Sequence, residues 1–258
     1  MLTVISPAKK LDLAPAALPD GLTASNPAFH AEAAYLAQIA RRLSVADLRR
    51  LMHISEPLAT LNRDRFAAFI EHPADAAIKP AALAFAGDTY TGLEAKTLDP
   101  VALHWAQSHL RILSGLYGLL RPLDSIQAYR LEMGSRLATD RGPTLYDFWG
   151  TTIADALNAA ASAVGTDTLI NCASTEYFGA VNLAALRLRV VTPVFLEDRE
   201  GDAKIISFWA KKARGAMARF IAEHQLTDAC DILAFTAGGY RHCAERSGNN
   251  RPVFTRPG

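Results

Sequence analysis

The sequence predicts a mixed α/β fold, a single compact domain over residues 1–258 in which a central sheet is flanked by helices. Three observations lead to this prediction. Apolar residues recur every three or four positions in the N-terminal part, as amphipathic helices require. Short β-rich runs alternate with polar segments in the C-terminal part. No repeat, low-complexity tract or linker marks a boundary, which favours one sheet with helices around it.

The first elements follow from local signals. The run "LTVIS" (2–6) is short and β-rich, and it predicts a strand. Asn26-Pro27 supplies a cap and a first-turn proline for one helix, "SVAD" (44–47) resembles a capping box for the next, and 55–70 predicts a third. The side chains of this third helix that are expected to face the core are Leu58, Leu61, Phe66 and Phe69.

The middle of the chain predicts a turn and two further helices before the strands begin. The stretch "ALAFAGDTYTGL" (82–93) predicts a short strand that runs into a hydroxyl-rich turn. Asp99-Pro100 caps a long helix to Ser114, with Gly115 just past its end, and 142–162 predicts another helix. After that, strands are expected at 168–174, 189–197, 204–210, 232–238 and 252–255. A helix at 211–224 is expected to follow the third of these strands.

Composition restricts the class of protein. The 27 Lys and Arg residues nearly balance the 26 Asp and Glu residues, and a net charge of +1 neither favours nor excludes nucleic acid. Cys172, Cys230 and Cys243 form no C-x-x-C pair, which argues against a disulfide framework or zinc site and favours a reducing compartment. We predict a cytoplasmic monomer or weak oligomer without signal peptide, membrane span, metal or cofactor.

The stretch "RILSGLYGLLRPLD" (111–124) allows two interpretations. Gly115 and Gly118 would permit a tight turn between two helices, as at an ordinary helix–helix corner. The same turn would expose backbone N–H groups to a phosphate, as in a helix–hairpin–helix DNA module at about 100–124, with Arg111, Arg121 and Arg130 as candidate countercharges. The stretch alone favours the corner, because Pro122 leaves little room for a second helix.

Two basic segments follow predicted strands. Lys9 and Lys10 come after the first strand, and Lys211, Lys212 and Arg214 come after a later one. Because ligands of α/β sheets gather at the carboxyl ends of strands, these residues could line one basic cleft. The plainer interpretation is a solvated helix face, which most charge runs are.

Acidic and hydroxyl side chains offer a possible polar pocket, which consists of Asp88, Thr91, Glu132 and Glu176. Carboxylates near arginines and aromatic rings can be catalytic, although structural ion pairs give the same pattern. If Lys9, Asp88, Arg214 and Glu176 converge, the protein could be an enzyme that acts on a phosphorylated or nucleotide substrate. The sequence assigns no catalytic residue.

Several long motifs, taken together and in this order, resemble the YaaA peroxide-stress protein family of bacteria. They are "ISPAKKLD", "FAGDTYTGL", "HLRILSGLYGLLRPLDSIQAYRLEMG", "LYDFWG", "NCASTEYF" and "KIISFWAKKARGAMARFI". The resemblance runs from Met1 to about residue 240. It implies a single α/β domain that binds double-stranded DNA through a helix–hairpin–helix and a positively charged cleft, protects against hydrogen peroxide and lowers free intracellular iron.

The resemblance also implies roles for particular residues. The DNA-binding hairpin would be Ser114, Gly115, Leu116, Tyr117 and Gly118, and the cleft would contain Lys9, Lys10, Lys211, Lys212 and Arg214. Non-specific binding of duplex DNA is therefore the leading hypothesis, and the enzyme is the second. A third hypothesis, a cysteine peroxide sensor, depends on Cys243, which lies among basic residues.

Overall fold

A five-stranded sheet forms the centre of the computed structural model, which describes residues 1–71, 73, 78–199 and 202–258. Its strand order is β4-β3-β1-β6-β7, with β1, β3, β6 and β7 parallel and β4 antiparallel. The strands are β1 (Leu2–Ile5), β3 (Leu110–Ser114), β4 (Gly118–Leu120), β6 (Thr168–Cys172) and β7 (Arg189–Val191). Nearly every residue of β1, β3 and β6 is buried, as parallel strands covered on both faces require.

The order in which strands are added to the sheet reverses at β1. The chain leaves β1, returns as β3 on one side of it, and later returns as β6 on the other side. Thr3 pairs with Leu110 of β3 and with Ile170 of β6. A crevice therefore opens at the carboxyl ends of these strands, where open α/β sheets bind their ligands.

Helices cover the sheet. Ser44 and Asp47 form the capping box expected at the start of the second helix. The described helices are α1 (His30–Arg41), α2 (Val45–Met52), α3 (Glu56–Ala68), α4 (Ala81–Ala84), α5 (Asp88–Leu93), α6 (Pro100–His109), α7 (Leu145–Trp149), α8 (Thr152–Ala163), α9 (Thr175–Phe178) and α10 (Ser207–Glu223).

The segment 82–93, predicted as a strand and turn, is helical, because α4 and α5 occupy most of it. Gly92, the second glycine of this segment, allows α5 to pack closely against α10. A Cβ atom on Gly92 would lie 2.0 Å from the Lys212 carbonyl oxygen, and one on Gly215 would lie 1.7 Å from the Thr89 carbonyl oxygen. These two glycines therefore let α5 and α10 touch backbone to backbone.

A second sheet contains the C-terminal strands in the order β10-β11-β8-β9. Its strands are β8 (Val194–Arg199), β9 (Asp202–Lys204), β10 (Arg241–His242) and β11 (Val253–Pro257), and a separate two-residue pair joins β2 (Lys79–Pro80) to β5 (Ser125–Ile126). Arg256 donates to buried Glu197 at 2.6 Å and lies 4.1 Å from the Trp209 ring. The ion pair links β11 to β8 within the second sheet, and the contact between Arg256 and Trp209 joins that sheet to α10.

The prediction that residues 100–124 form a helix–hairpin–helix is wrong, because only the first of the two helices is present. Helix α6 ends at His109, and the chain continues through β3, a tight turn and β4 as an antiparallel hairpin. The run "LRILS" is apolar enough to be buried on both faces beside β1, and this packing overrides its helical spacing.

Four other expectations are corrected. Leu58 and Leu61 are exposed, because α3 buries Ala59, Asn62 and Phe66 instead. The helix expected at 142–162 is broken at Gly150, where φ is +48°, into α7 and α8. The strand expected at 232–238 is replaced by short 3₁₀ turns at Ala229–Ala234 and Ala237–Gly239, and most of 204–210 belongs to α10.

Within the described ranges, none of the helices has the length and apolar character needed to cross a membrane.

Candidate functional site

The hairpin at 114–118 lies in the core. Ser114, Leu116 and Tyr117 are fully buried. The Tyr117 N–H donates to Ser114 Oγ at 2.9 Å, and the Gly115 carbonyl accepts from Trp149 Nε1 at 3.1 Å. A Cβ atom on Gly118 would lie 2.6 Å from the Trp149 ring. The glycines thus accommodate other parts of the protein, and a duplex cannot reach this turn in the folded state.

The two arginines beside the hairpin are engaged in structural contacts. Arg111 Nη1 donates to the carbonyl oxygens of Gln107 at 3.1 Å and Leu110 at 2.9 Å, which caps α6, and burial lowers its pKa to about 10. Arg121 pairs with buried Asp124 at 2.9 Å. Both guanidinium groups therefore hold the chain around the hairpin.

A cavity of about 810 Å³ opens beyond the carboxyl ends of β1 and β6. We call it the Lys9 cleft. Its charged lining residues are Lys9, Asp47, Arg50, Arg130, Glu132, Arg136 and Glu176. Its apolar lining residues are Ile39, Leu43, Leu51, Met52, Leu137 and Ala138. The cleft combines a charged surface with an apolar wall, and its size is typical of small-molecule sites.

Glu132 lies at the centre of the charged surface. Arg130 donates from Nε at 3.1 Å and from Nη2 at 3.0 Å to Glu132 Oε1, and Lys9 Nζ lies 3.6 Å from the same oxygen. The other oxygen, Oε2, is buried and receives no hydrogen bond from any described residue. Leaving a buried acceptor without a donor costs about 1–3 kcal/mol, so this oxygen is poised to accept a donor from a ligand.

Positive charge exceeds negative charge around Glu132. Arg65, on α3, is half-buried, and its pKa is lowered first by burial and then by the charge of Arg130. The Arg130 guanidinium and the Lys9 ammonium thus lie around a single carboxylate that is only 12% exposed. A surplus of cations in a partly desolvated place favours an anionic ligand.

Glu176 forms the opposite wall of the cleft. Its Oε1 accepts from the Gly134 N–H at 3.0 Å, and its carbonyl accepts from the Tyr146 hydroxyl at 3.0 Å. At the foot of this wall the Ser174 N–H donates to Ser6 Oγ at 2.9 Å, which joins the residues that follow β6 and β1. These contacts fix the position of Glu176 relative to Lys9 and its strand.

Other residues predicted for the cleft and polar pocket lie elsewhere. Lys10, Asp88 and Thr91 line a separate cavity of about 530 Å³. Lys212 lines a third cavity, of about 390 Å³, with Trp209 and Arg256. Lys211 is exposed, and Arg214 is half-buried near the Cys172 thiol. The predicted set is therefore split, and only Lys9, Glu132 and Glu176 of it line the Lys9 cleft.

The segment 129–137, which has a turn at Met133 and Gly134, supplies cleft residues that sequence reasoning largely missed. Its odd-numbered residues are buried, although Ser135 and Leu137 also border the cleft, and the even-numbered residues that line it are Arg130, Glu132, Gly134 and Arg136. This period of two was visible in "YRLEMGSRL" and is the available signal. Arg50 has no comparable signal, because it reaches the cleft from α2, which is distant in sequence.

The cysteines differ in exposure. Cys172 is buried, and burial raises the pKa of its thiol to about 12, which makes it unreactive. Cys243 is half-buried and donates from Sγ to Glu245 Oε2 at 3.3 Å, whereas Cys230 is exposed. The described residues contain no group of three or more His, Cys, Asp or Glu arranged to hold a metal ion.

Comparisons with known proteins agree with the resemblance seen in the motifs. The family model described as "Peroxide stress protein YaaA" matches residues 1–246. A UPF0246 protein of Cereibacter sphaeroides strain KD131 is 61% identical over 259 residues, with 100% of both chains covered. A UPF0246 protein of Ruegeria pomeroyi is 58% identical over 257 residues, covering 100% of this chain and 99% of that one. One of Jannaschia sp. strain CCS1 is 59% identical, covering 99% and 97%.

The family model covers nearly the whole chain, and these relatives are about 60% identical to it over their full length. Both findings assign the chain to the same family. The chain belongs to the peroxide stress protein YaaA family.

Proposed function

We propose that the protein acts in the peroxide-stress response by binding the phosphates of duplex DNA, without sequence preference, at the rim of the Lys9 cleft. The observation that carries the proposal is the set of long, exposed cations at this rim. The side chains of Lys9 and Arg50 are 68% and 74% exposed, and Arg136 is exposed beside them. Contacts of this kind position a protein on DNA and carry no base information.

The proposal differs from what the resemblance implied about the residues that contact DNA. Because the 114–118 turn is buried, phosphate contacts would come from side chains rather than from backbone N–H groups. Such binding gains affinity from released counterions and therefore depends strongly on salt. Three rim contacts predict a slope of about −3 when log K is plotted against log salt concentration.

The test is a fluorescence titration of a labelled random duplex at several salt concentrations. The double variant Arg50→Ala, Arg136→Ala should bind more weakly and reduce the slope by about 2. Lys204→Ala is the matched control, because Lys204 is equally exposed at 69% but belongs to the second sheet. A salt-independent signal, or equal loss in the control, would refute DNA binding at this rim.

An effect on free intracellular iron is what the resemblance of the motifs implies. We propose that it accompanies DNA binding, so it should be lost in the Arg50→Ala, Arg136→Ala variant. The measurement is chelatable iron in whole cells by electron paramagnetic resonance after peroxide exposure. Normal iron control by a variant that no longer binds DNA would separate the two properties.

A second candidate function is an enzyme that acts on a phosphorylated or nucleotide substrate in the same cleft. The observation that favours it is Glu132, a carboxylate with one free oxygen beside Lys9 and Arg130. In this candidate, water attacks phosphorus, the ester P–O bond breaks, and Glu132 passes the proton of the water to the leaving oxygen. If the wild-type protein and the Glu132→Gln variant hydrolyse nucleoside phosphates at the same rate, this candidate is refuted.

A further inference from the structure

The Lys9 cleft has an apolar wall that phosphate binding does not require. Ile39 comes from α1, Leu43 follows that helix, and Leu51 lies near the end of α2, while Leu137 of the segment 129–137 closes the wall. Ile39, Leu43 and Leu51 are half-buried and face the cavity, so part of their apolar surface remains available to a ligand. A ligand that fills this cleft therefore has an apolar, flat or rounded part as well as a charge.

The charged surface opposite this wall suits a doubly charged group. Lys9 Nζ and Arg130 Nη2 lie 3.6 Å and 3.0 Å from the same oxygen of Glu132, so two cationic donors converge there. A phosphate monoester carries nearly two negative charges at pH 7, whereas each phosphodiester of DNA carries one. A monoester also presents three terminal oxygens to these two cationic donors, whereas a phosphodiester presents two, so the pair matches a monoester better than a single phosphodiester.

Glu132 Oε2 adds a third requirement. This buried oxygen accepts nothing from the described residues, so a ligand hydroxyl or amine placed there would satisfy it. Because the oxygen belongs to the same carboxylate that Lys9 and Arg130 hold, the donor and the phosphate of the ligand must lie close together. A ribose phosphate provides hydroxyl groups within a few bonds of its phosphate.

We propose that the inner part of the Lys9 cleft binds a nucleoside monophosphate. The phosphate lies against Lys9 and Arg130, a ribose hydroxyl donates to Glu132 Oε2, and the base packs on the wall formed by Leu43 and Leu51. This inference does not depend on the proposed binding of DNA; it deepens the second candidate function by naming the class of nucleotide that the cleft holds, and it requires no turnover. Duplex DNA keeps its bases stacked inside the helix, so it has no group for the apolar wall.

The probes are AMP, ribose 5-phosphate and inorganic phosphate, each titrated calorimetrically into the full-length protein. AMP should bind at least tenfold more tightly than ribose 5-phosphate, because only AMP has a base for the apolar wall. Ribose 5-phosphate should in turn bind more tightly than inorganic phosphate, because it has a hydroxyl for Glu132. No AMP binding at millimolar concentration, or equal affinities for all three probes, would overturn the proposal.

Two variants separate the wall from the charged surface. Leu51→Asp should weaken AMP at least tenfold and leave inorganic phosphate within twofold, whereas Lys9→Ala should weaken both. Leu43→Gln repeats the wall test at a second half-buried position, in case Leu51→Asp does not fold. An equal loss of both ligands in the wall variants would refute the base contact. If AMP fails to bind but the DNA titration keeps its salt slope, only this inference falls.

Discussion

Replacement of Gly118 by alanine tests whether the 114–118 hairpin is a structural core element. The backbone of Gly118 has φ +66°, which costs a residue with a side chain about 1–2 kcal/mol. Its new Cβ would lie 2.6 Å from Trp149, a fully buried ring that is hydrogen-bonded to Gly115 and cannot move away freely. Overpacking of this kind costs about 1–3 kcal/mol, so we expect a total loss of about 2–5 kcal/mol.

The assay is urea unfolding, compared with the control Gly165→Ala. Gly165 has nearly the same backbone angle, φ +65°, but a Cβ there would meet nothing within 4 Å. The control therefore isolates the backbone cost, and the difference between the variants measures the contact with Trp149. Duplex binding by folded Gly118→Ala should equal that of the wild type. Unchanged stability with lost DNA binding would refute the structural role and restore the hairpin as a ligand site.

Three further predictions follow. A hydrogen bond from Lys96 is the chief cause that lowers the pKa of Asp12 to about 2. The stabilising contribution of Asp12 should therefore be present above about pH 4 and be lost as the pH falls towards 2. Urea unfolding at several pH values should show that Asp12→Asn removes this part of the pH dependence. Cys172 should resist iodoacetamide at pH 8 in the native protein while Cys230 reacts, as mass spectrometry would show, and early labelling of Cys172 would contradict its burial. Gly215→Val should separate α10 from α5 and lower the melting temperature by several degrees, and an unchanged melting temperature would contradict the close helix contact.

Local sequence signals predicted the elements whose conformation is decided locally. The run at 2–6 forms β1, and Ser44 and Asp47 form their capping box. The 110–114 segment was predicted incorrectly because Leu110 and Leu113 fit a helical spacing as well as a buried strand. Pairing with β1, more than 100 residues earlier, decided between the two, and no local signal reports that pairing.

The glycine-rich motifs show why the candidate site was harder to predict than the fold. Gly115 and Gly118 were predicted to open the backbone to a phosphate and Gly92 to end a hydroxyl-rich turn, yet each makes room for another part of the same chain. A glycine needed for close packing and one needed for a ligand have the same appearance in a sequence, because both positions must lack a Cβ atom. The structure distinguishes them by the partner, such as Lys212 for Gly92.

The two proposals share Lys9 but otherwise use different parts of the Lys9 cleft. Lys9 belongs to both, because its exposed ammonium can reach a DNA phosphate outside or a monoester inside. Arg50 and Arg136 belong to the rim, whereas Glu132 and Leu51 belong to the interior of the cleft. A nucleotide bound inside would place its negative charge beside Lys9 and oppose a DNA phosphate at the same residue. If both proposals hold, the nucleotide therefore weakens DNA binding, and the stress response gains a small-molecule signal without a second site.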